Sequence, residues 1–191
     1  TWQPEIVEMS AHYQAIEAAS AGIHWTFSPM IDIARDPRWG RIMEGSGEDP
    51  YLVSLMAAAH VRGYQGNLSN LNIIACAKHY AGYGGAEGGR DYNTVDISER
   101  TLRDIYLPPY KSAVDAGVDI LRDEWNFKGF VVSDWDAIGE LVDHGFASDL
   151  KNAGEISINA GLDMDMESRS YITHIKQLVD DGKVDEDVID E

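Results

Sequence analysis

Cysteine is almost absent: Cys76 stands alone among 191 residues. No intrachain disulfide and no thiolate zinc cluster can form, and a single thiol fits any redox compartment. Basic residues are scarce as well. Fifteen Lys and Arg face 33 Asp and Glu, a formal net charge of −18. A chain this acidic repels nucleic-acid phosphates and anionic membrane surfaces. The excess reads first as a solubility feature, and it does not disfavour neutral sugars. No apolar run nears the roughly 20 residues of a membrane-spanning helix. The opening residues do not read as a signal peptide, although a chain that starts at Thr1 leaves targeting open. There is no P-loop, no GxGxxG opening a helix and no G-x-S-x-G elbow.

What is present is ordinary for a globular domain: 44% hydrophobic and 25% charged residues, enough for a sizeable core. The chain has room for one domain or most of one. Pro4 opens a helix in which Ile6, Met9, Tyr13 and Ile16 recur at helical spacing, and Gly22 stops it. His24 to Met30 reads as a strand, and Asp36 to Pro50 as a loop. Asp49 and Pro50 open a second helix to about Tyr64, and Leu71 to Lys78 is a buried strand. A glycine-rich loop spans Gly82 to Asn93. Ser98 caps a helix that is broken at Pro108-Pro109 and continues to Gly117. Phe130 to Ser133 is a strand, Asp136 begins a helix, and Ser148 to Ala160 is helical. Leu162 to Met166 is a short strand. Ser168 caps a last helix with the stripe Ile172, Ile175, Leu178 and Val179, ended by Gly182. Short apolar strands alternating with helices give a parallel α/β architecture, either a doubly wound sheet or a (β/α) barrel.

In both architectures the working face lies at the C-terminal ends of the strands. Asp134 ends the apolar Phe130-Val131-Val132 run beside Trp135. It reads equally as a nucleophilic carboxylate with a sugar stacked on the indole, or as a helix cap. Lys78-His79 ends the second strand as a pair of donors for hydroxyl, carboxylate or phosphate. The plainer reading is a Lys paired with a nearby Asp and a His satisfied by backbone. Asp32, Arg35, Asp36, Arg38 and Arg41 follow the first strand. The glycine-rich loop fits one that passes close to a substrate better than a phosphate cradle. Asp163, Asp165 and Glu167 match no calcium loop, so no metal is expected.

Together these pieces closely resemble glycoside hydrolase family 3. Phe27 to Arg41, Gly45 to Pro50, Cys76 to Gly84, Gly89 to Asn93, Lys128 to Trp135 and Ala160 to Met166 follow its motifs in order. The resemblance implies part of a (β/α)8 TIM-like barrel over 1–191 and a retaining β-glycosidase with no cofactor. It implies Asp134 as the nucleophile. It implies that Arg38, Lys78 and His79 bind sugar hydroxyls, that Trp135 walls the subsite, and that Asp91 lies near. Ala81-Gly82-Tyr83-Gly84 departs from the Pro-Gly-His-Gly of the N-acetylglucosaminidase branch and favours the β-glucosidase branch, with β-xylosidase next. Family habit is periplasmic or secreted.

Set against that pattern, the early strands are missing, and so is a sugar-binding aspartate. A further stretch is missing between Val118 and Asp119. The C-terminal domain that supplies the acid/base glutamate is also missing. Either the sequence is a portion of a longer enzyme, or it is a truncated, catalytically incomplete remnant. Such a remnant would bind sugar weakly or pair with a second chain. The first is preferred, because deleting an internal barrel strand is severely destabilising.

Overall fold

The structure is a computed structural model that describes residues 2–116 and 129–190. The expected discontinuity at 118–119 lies outside the described residues. The chain divides into two compact units, Thr1–Ile120 and Leu121–Glu191.

In the first unit α1 (Pro4–Ser20) starts with proline at its first turn and turns Ala11 and Ala15 inward. It packs on α2 (Pro50–Gln65). There the Asp49 carboxylate caps the Leu52 N–H at 2.7 Å, and Val53, Met56, Ala57 and Val61 are buried. Ser98 caps the short α3 (Glu99–Thr101). The chain then widens into one π turn, Leu102–Tyr106, closed by the Leu107 N–H on the Leu102 carbonyl. Pro108 lacks an N–H and restarts the chain as α4 (Pro108–Asp115). α4 packs on α2, and Ser112 Oγ donates to the Ser54 carbonyl at 2.9 Å.

The two strands expected here are extended segments that run parallel, joined at Trp25–Ile74 and Met30–Lys78. The Thr26, Ile31, Ile74, Cys76 and Lys78 N–H groups bridge them at 2.8–3.0 Å. Pro29 has no N–H to contribute. The glycine-rich loop makes two short 3₁₀ turns, Tyr83–Gly85 and Glu87–Gly89. A methyl group at Gly84 would meet the Ile33 carbonyl oxygen at 2.2 Å, so only glycine lets this loop lie against segment 33–35.

The second unit has the same logic on a smaller scale. Segments 131–133 and 163–166 pair in parallel through Val132–Met164. α5 (Ala137–Asp143), α6 (Leu150–Asn159), α7 (Ser170–Asp180) and α8 (Glu186–Asp190) follow or flank them. One core gathers Leu141, Val142, Ile156, Leu162 and Tyr171 around Ile138, Ala147 and Ala153. Another gathers Ile175 and Val179 around Ile158, Leu178 and Val184. α6 is capped by Asp149, whose Oδ1 accepts from the Asn152 N–H at 2.8 Å. Gly154 in α6 sits against α7: a methyl group there would come within 2.3 Å of Ser170 Oγ.

Two local expectations are corrected. Ser168 does not cap α7, because Arg169, in the left-handed conformation, takes the N-cap position. Ser168 Oγ instead accepts from the Gly139 N–H of α5 at 3.2 Å. Ile172, expected in the apolar stripe of α7, is 82% exposed. No described helix is long and apolar enough to cross a membrane.

Candidate active site

The pairing of segments 24–31 and 74–78 brings their C-terminal ends side by side. Asp32 and His79 are the next residues on each, so the backbone sets them together. Asp32 sits inside the apolar run Met30-Ile31-Asp32-Ile33-Ala34 and is 2% exposed. A buried carboxylate must be hydrogen-bonded or it costs several kcal/mol. Asp32 Oδ2 accepts from the His79 backbone N–H at 3.2 Å and lies 2.7 Å from His79 Nδ1. Asp32 Oδ1 is buried with no hydrogen-bond partner among the described residues.

The other edge of the imidazole faces Arg41, with Nη1 3.3 Å from His79 Nε2. Arg41 is itself clamped in a fork: Nε donates to Glu44 Oε1 at 2.8 Å and Nη2 to Glu44 Oε2 at 2.7 Å. Such bidentate pairing fixes both distance and plane. The Arg41 hydrogen bonds raise the pKa of its guanidinium and lower that of Glu44, against some opposition from burial.

Tyr83 is the hub of this cluster. Its ring stands edge-on to His79 and to Trp39, with centroids 5.1 and 5.3 Å apart, and the Arg41 guanidinium lies 5.6 Å from its centroid. Its hydroxyl donates to Asp91 Oδ1, which also accepts from Trp39 Nε1 at 3.0 Å. Trp39 is 1% exposed, so the indole is a fixed donor. Burial and then the Asp91 hydrogen bond push the Tyr83 phenol up. Burial also raises Asp91, but the Tyr83 and Trp39 hydrogen bonds outweigh it and leave its pKa lowered.

The expected sugar-binding residues therefore divide. His79 and Asp91 belong to one connected cluster through Tyr83. Lys78 is half-buried, its ammonium has no hydrogen-bond or ion-pair partner among the described residues, and its charge helps lower the Glu44 pKa. The reading in which Lys78 is paired with a nearby Asp is not realised among those residues. Arg38 grips Asp36 through Nε at 2.9 Å and Nη2 at 2.6 Å, with 73% of its side chain exposed. This pair holds the Asp36 carboxyl down at about 2. Arg41, not Arg38, is the arginine against His79. Asp32 and Arg41 stand among the polar residues expected after the first strand, but neither they nor Glu44 and Tyr83 are among those the resemblance assigns to sugar binding. Asp32 and Arg41 each left a signal: a lone carboxylate in an apolar run, and an Arg three residues before a Glu.

In the second unit Asp134 follows segment 131–133. Its Oδ1 accepts from the Trp135 N–H at 2.7 Å, and its carbonyl accepts from the Ala137 N–H at 3.2 Å. Asp136 is the N-cap residue of α5, with φ 55° and no side-chain cap. Asp134 and Trp135 are both exposed, Trp135 at 65%. The two side chains thus stand together at the surface of the second unit.

Comparison with known proteins identifies the family. The glycosyl hydrolase family 3 N terminal domain matches residues 1–120 and 118–191, and the chain belongs to that family. A periplasmic β-glucosidase of Salmonella typhimurium is 40% identical over 205 residues, covering 94% of this chain and 27% of that protein. A β-xylosidase of Formosa agariphila is 39% identical over 196 residues, covering 87% of this chain and 27% of that protein. The crystal structure of a β-glucosidase from Listeria innocua superposes with a TM-score of 0.95 at 40% identity, covering 99% of this chain and 30% of that one. The same protein has been solved with glucose bound. The chain thus spans under a third of the length of these relatives. Of the two parallel architectures left open by the sequence, the fold is that of the TIM-barrel-like family 3 domain.

Proposed function

We propose that this chain is part of a retaining β-glycosidase that removes terminal, non-reducing β-D-glucosyl residues. The relatives' names support the substrate class, and the exposed Asp134–Trp135 pair carries the reading. An Asp134 carboxylate oxygen attacks the anomeric carbon, and the bond to the leaving-group oxygen breaks. Water then releases the sugar from the glycosyl-enzyme. In the first unit His79, Lys78 and Arg41 are assigned to sugar hydroxyls, with Arg38 further out on the same loop and Asp91 anchoring Tyr83; in the second unit Trp135 is assigned to stacking on a sugar ring. The acid/base comes from outside this chain, from a further domain of a longer protein or from a second chain. The chain is an incomplete barrel, since a closed one takes about 250 residues. The periplasmic relative supports export.

Intact mass after incubation with an activated 2-deoxy-2-fluoro-β-glucoside tests this. One added fluoroglycosyl unit mapping to Asp134, absent in Asp134→Asn, is the expected result. No addition to the full-length protein overturns the reading.

A further inference from the structure

The two edges of the His79 ring meet partners of opposite and invariant kind. A guanidinium carries only N–H donors, so the Arg41 Nη1 group 3.3 Å from His79 Nε2 must donate and Nε2 must accept. On the other edge the Asp32 carboxylate lies 2.7 Å from Nδ1 and accepts, so Nδ1 carries the proton. Both neighbours demand the same neutral tautomer. Both are themselves fixed. Asp32 is buried and also takes the His79 backbone N–H, and Arg41 is held by both oxygens of Glu44. Tyr83 stands edge-on to the ring and limits its rotation.

We propose that Asp32 is a positioning residue that holds His79 as its Nδ1–H tautomer, so that His79 acts toward a substrate hydroxyl as an acceptor through Nε2. This rests on the glycosidase reading for the identity of the hydroxyl. The chemistry is a division of labour. Lys78 and Arg41 can only donate, so a site built from them alone would satisfy a hydroxyl's oxygen and leave its proton unplaced. His79 supplies the missing lone pair. A hydroxyl entering here takes the Arg41 N–H on its oxygen and gives its own proton to Nε2. It thereby replaces the direct Arg41–His79 contact without stranding either group. A buried polar site that matches both halves of a hydroxyl discriminates strongly against an analogue that lacks it.

The test is a ¹⁵N spectrum of histidine-labelled protein above the histidine titration range, with His79 assigned by its loss in His79→Gln. The expected wild-type result is an unprotonated Nε2 and a protonated Nδ1. Asp32→Asn keeps an acceptor oxygen and retains this pattern, whereas Asp32→Ala moves the proton toward Nε2. In the full-length enzyme Asp32→Ala lowers kcat/KM by about tenfold to a hundredfold, and Asp32→Asn restores most of the loss. A wild-type Nε2–H tautomer overturns the proposal, as does an Asp32→Ala protein that folds with the proton still on Nδ1. If Asp32→Ala does not fold, the wild-type and Asp32→Asn spectra decide. Failure of the fluoroglycoside to label Asp134 would remove the glycosidase reading but leave the tautomer result standing. An Nε2–H tautomer in a protein that does label removes this proposal alone.

Discussion

The two units hold their functional groups by different means. In the first, side chains hold side chains: Glu44 grips Arg41, Arg41 meets His79, Asp32 backs His79, and Tyr83 ties the ring to Asp91 and Trp39. In the second, the carboxylate of Asp134 is set by main chain, through the Trp135 N–H and the turn closed at Ala137. The first arrangement is a connected network anchored on the buried Asp32 and Trp39, so a change at one member is felt by the others. The second is exposed, so a change there should alter chemistry and little else. The candidate sugar-binding residues lie where side chains brace one another, and the proposed nucleophile stands at the surface.

The sharpest way to break this comparison is Asp134→Asn. Turnover by the full-length protein should fall by several orders of magnitude while its Tm stays within a degree or so of wild type. A large drop in Tm would show that Asp134 is structural after all. Next come the two glycines. Gly84→Ala drives a methyl group toward the Ile33 carbonyl, and Gly154→Ala drives one toward Ser170 Oγ. Each should cost about 1–3 kcal/mol in urea unfolding, the range typical of overpacking. Only Gly84→Ala should also weaken sugar binding, since its loop carries Tyr83.

Tyr83→Phe is gentler. It removes one hydrogen bond to Asp91 and should cost about 1 kcal/mol. The Asp91 carboxyl should then titrate higher in an NMR titration, because a hydrogen bond that lowers its pKa is gone. The smallest effect is in acid. Glu44 and Asp91 both have lowered pKa values in the folded protein. Their contribution is therefore fully present above the ordinary carboxylate value of about 4 and is lost as pH falls through their lower folded values. Glu44→Gln should flatten the acid limb of Tm against pH, and an unchanged limb would show that the clamp on Arg41 contributes nothing.

The helix boundaries were legible because their causes are local. Pro4, Asp49, Ser98, Pro108 and Gly182 each act within a turn of where they stand. The Ser168 expectation failed for the complementary reason: its hydroxyl finds an N–H twenty-nine residues earlier in sequence, which no short-range rule foresees. The strand positions were legible as apolar runs, but not that each pair would close through so few backbone bonds. His79 and Asp91 could be picked out by motif. Their partners Asp32, Arg41 and Tyr83 acquire meaning only once segments 24–31 and 74–78 are laid side by side.

Side chains help join segment 131–133 to 163–166: the Val131 N–H donates to Asp163 Oδ2 at 2.6 Å and the Met166 N–H to Ser133 Oγ at 2.8 Å. Backbone pairing alone is the same at every residue and cannot count. A carboxylate and a hydroxyl at fixed places can, and they act as a key that admits a single register. A slip of one residue would swing every side chain to the opposite face and turn Asp134 away from the end of its segment. Ser133 and Asp163 thus guard an address, and their loss would be felt as a misplaced carboxylate before it was felt as a weaker fold.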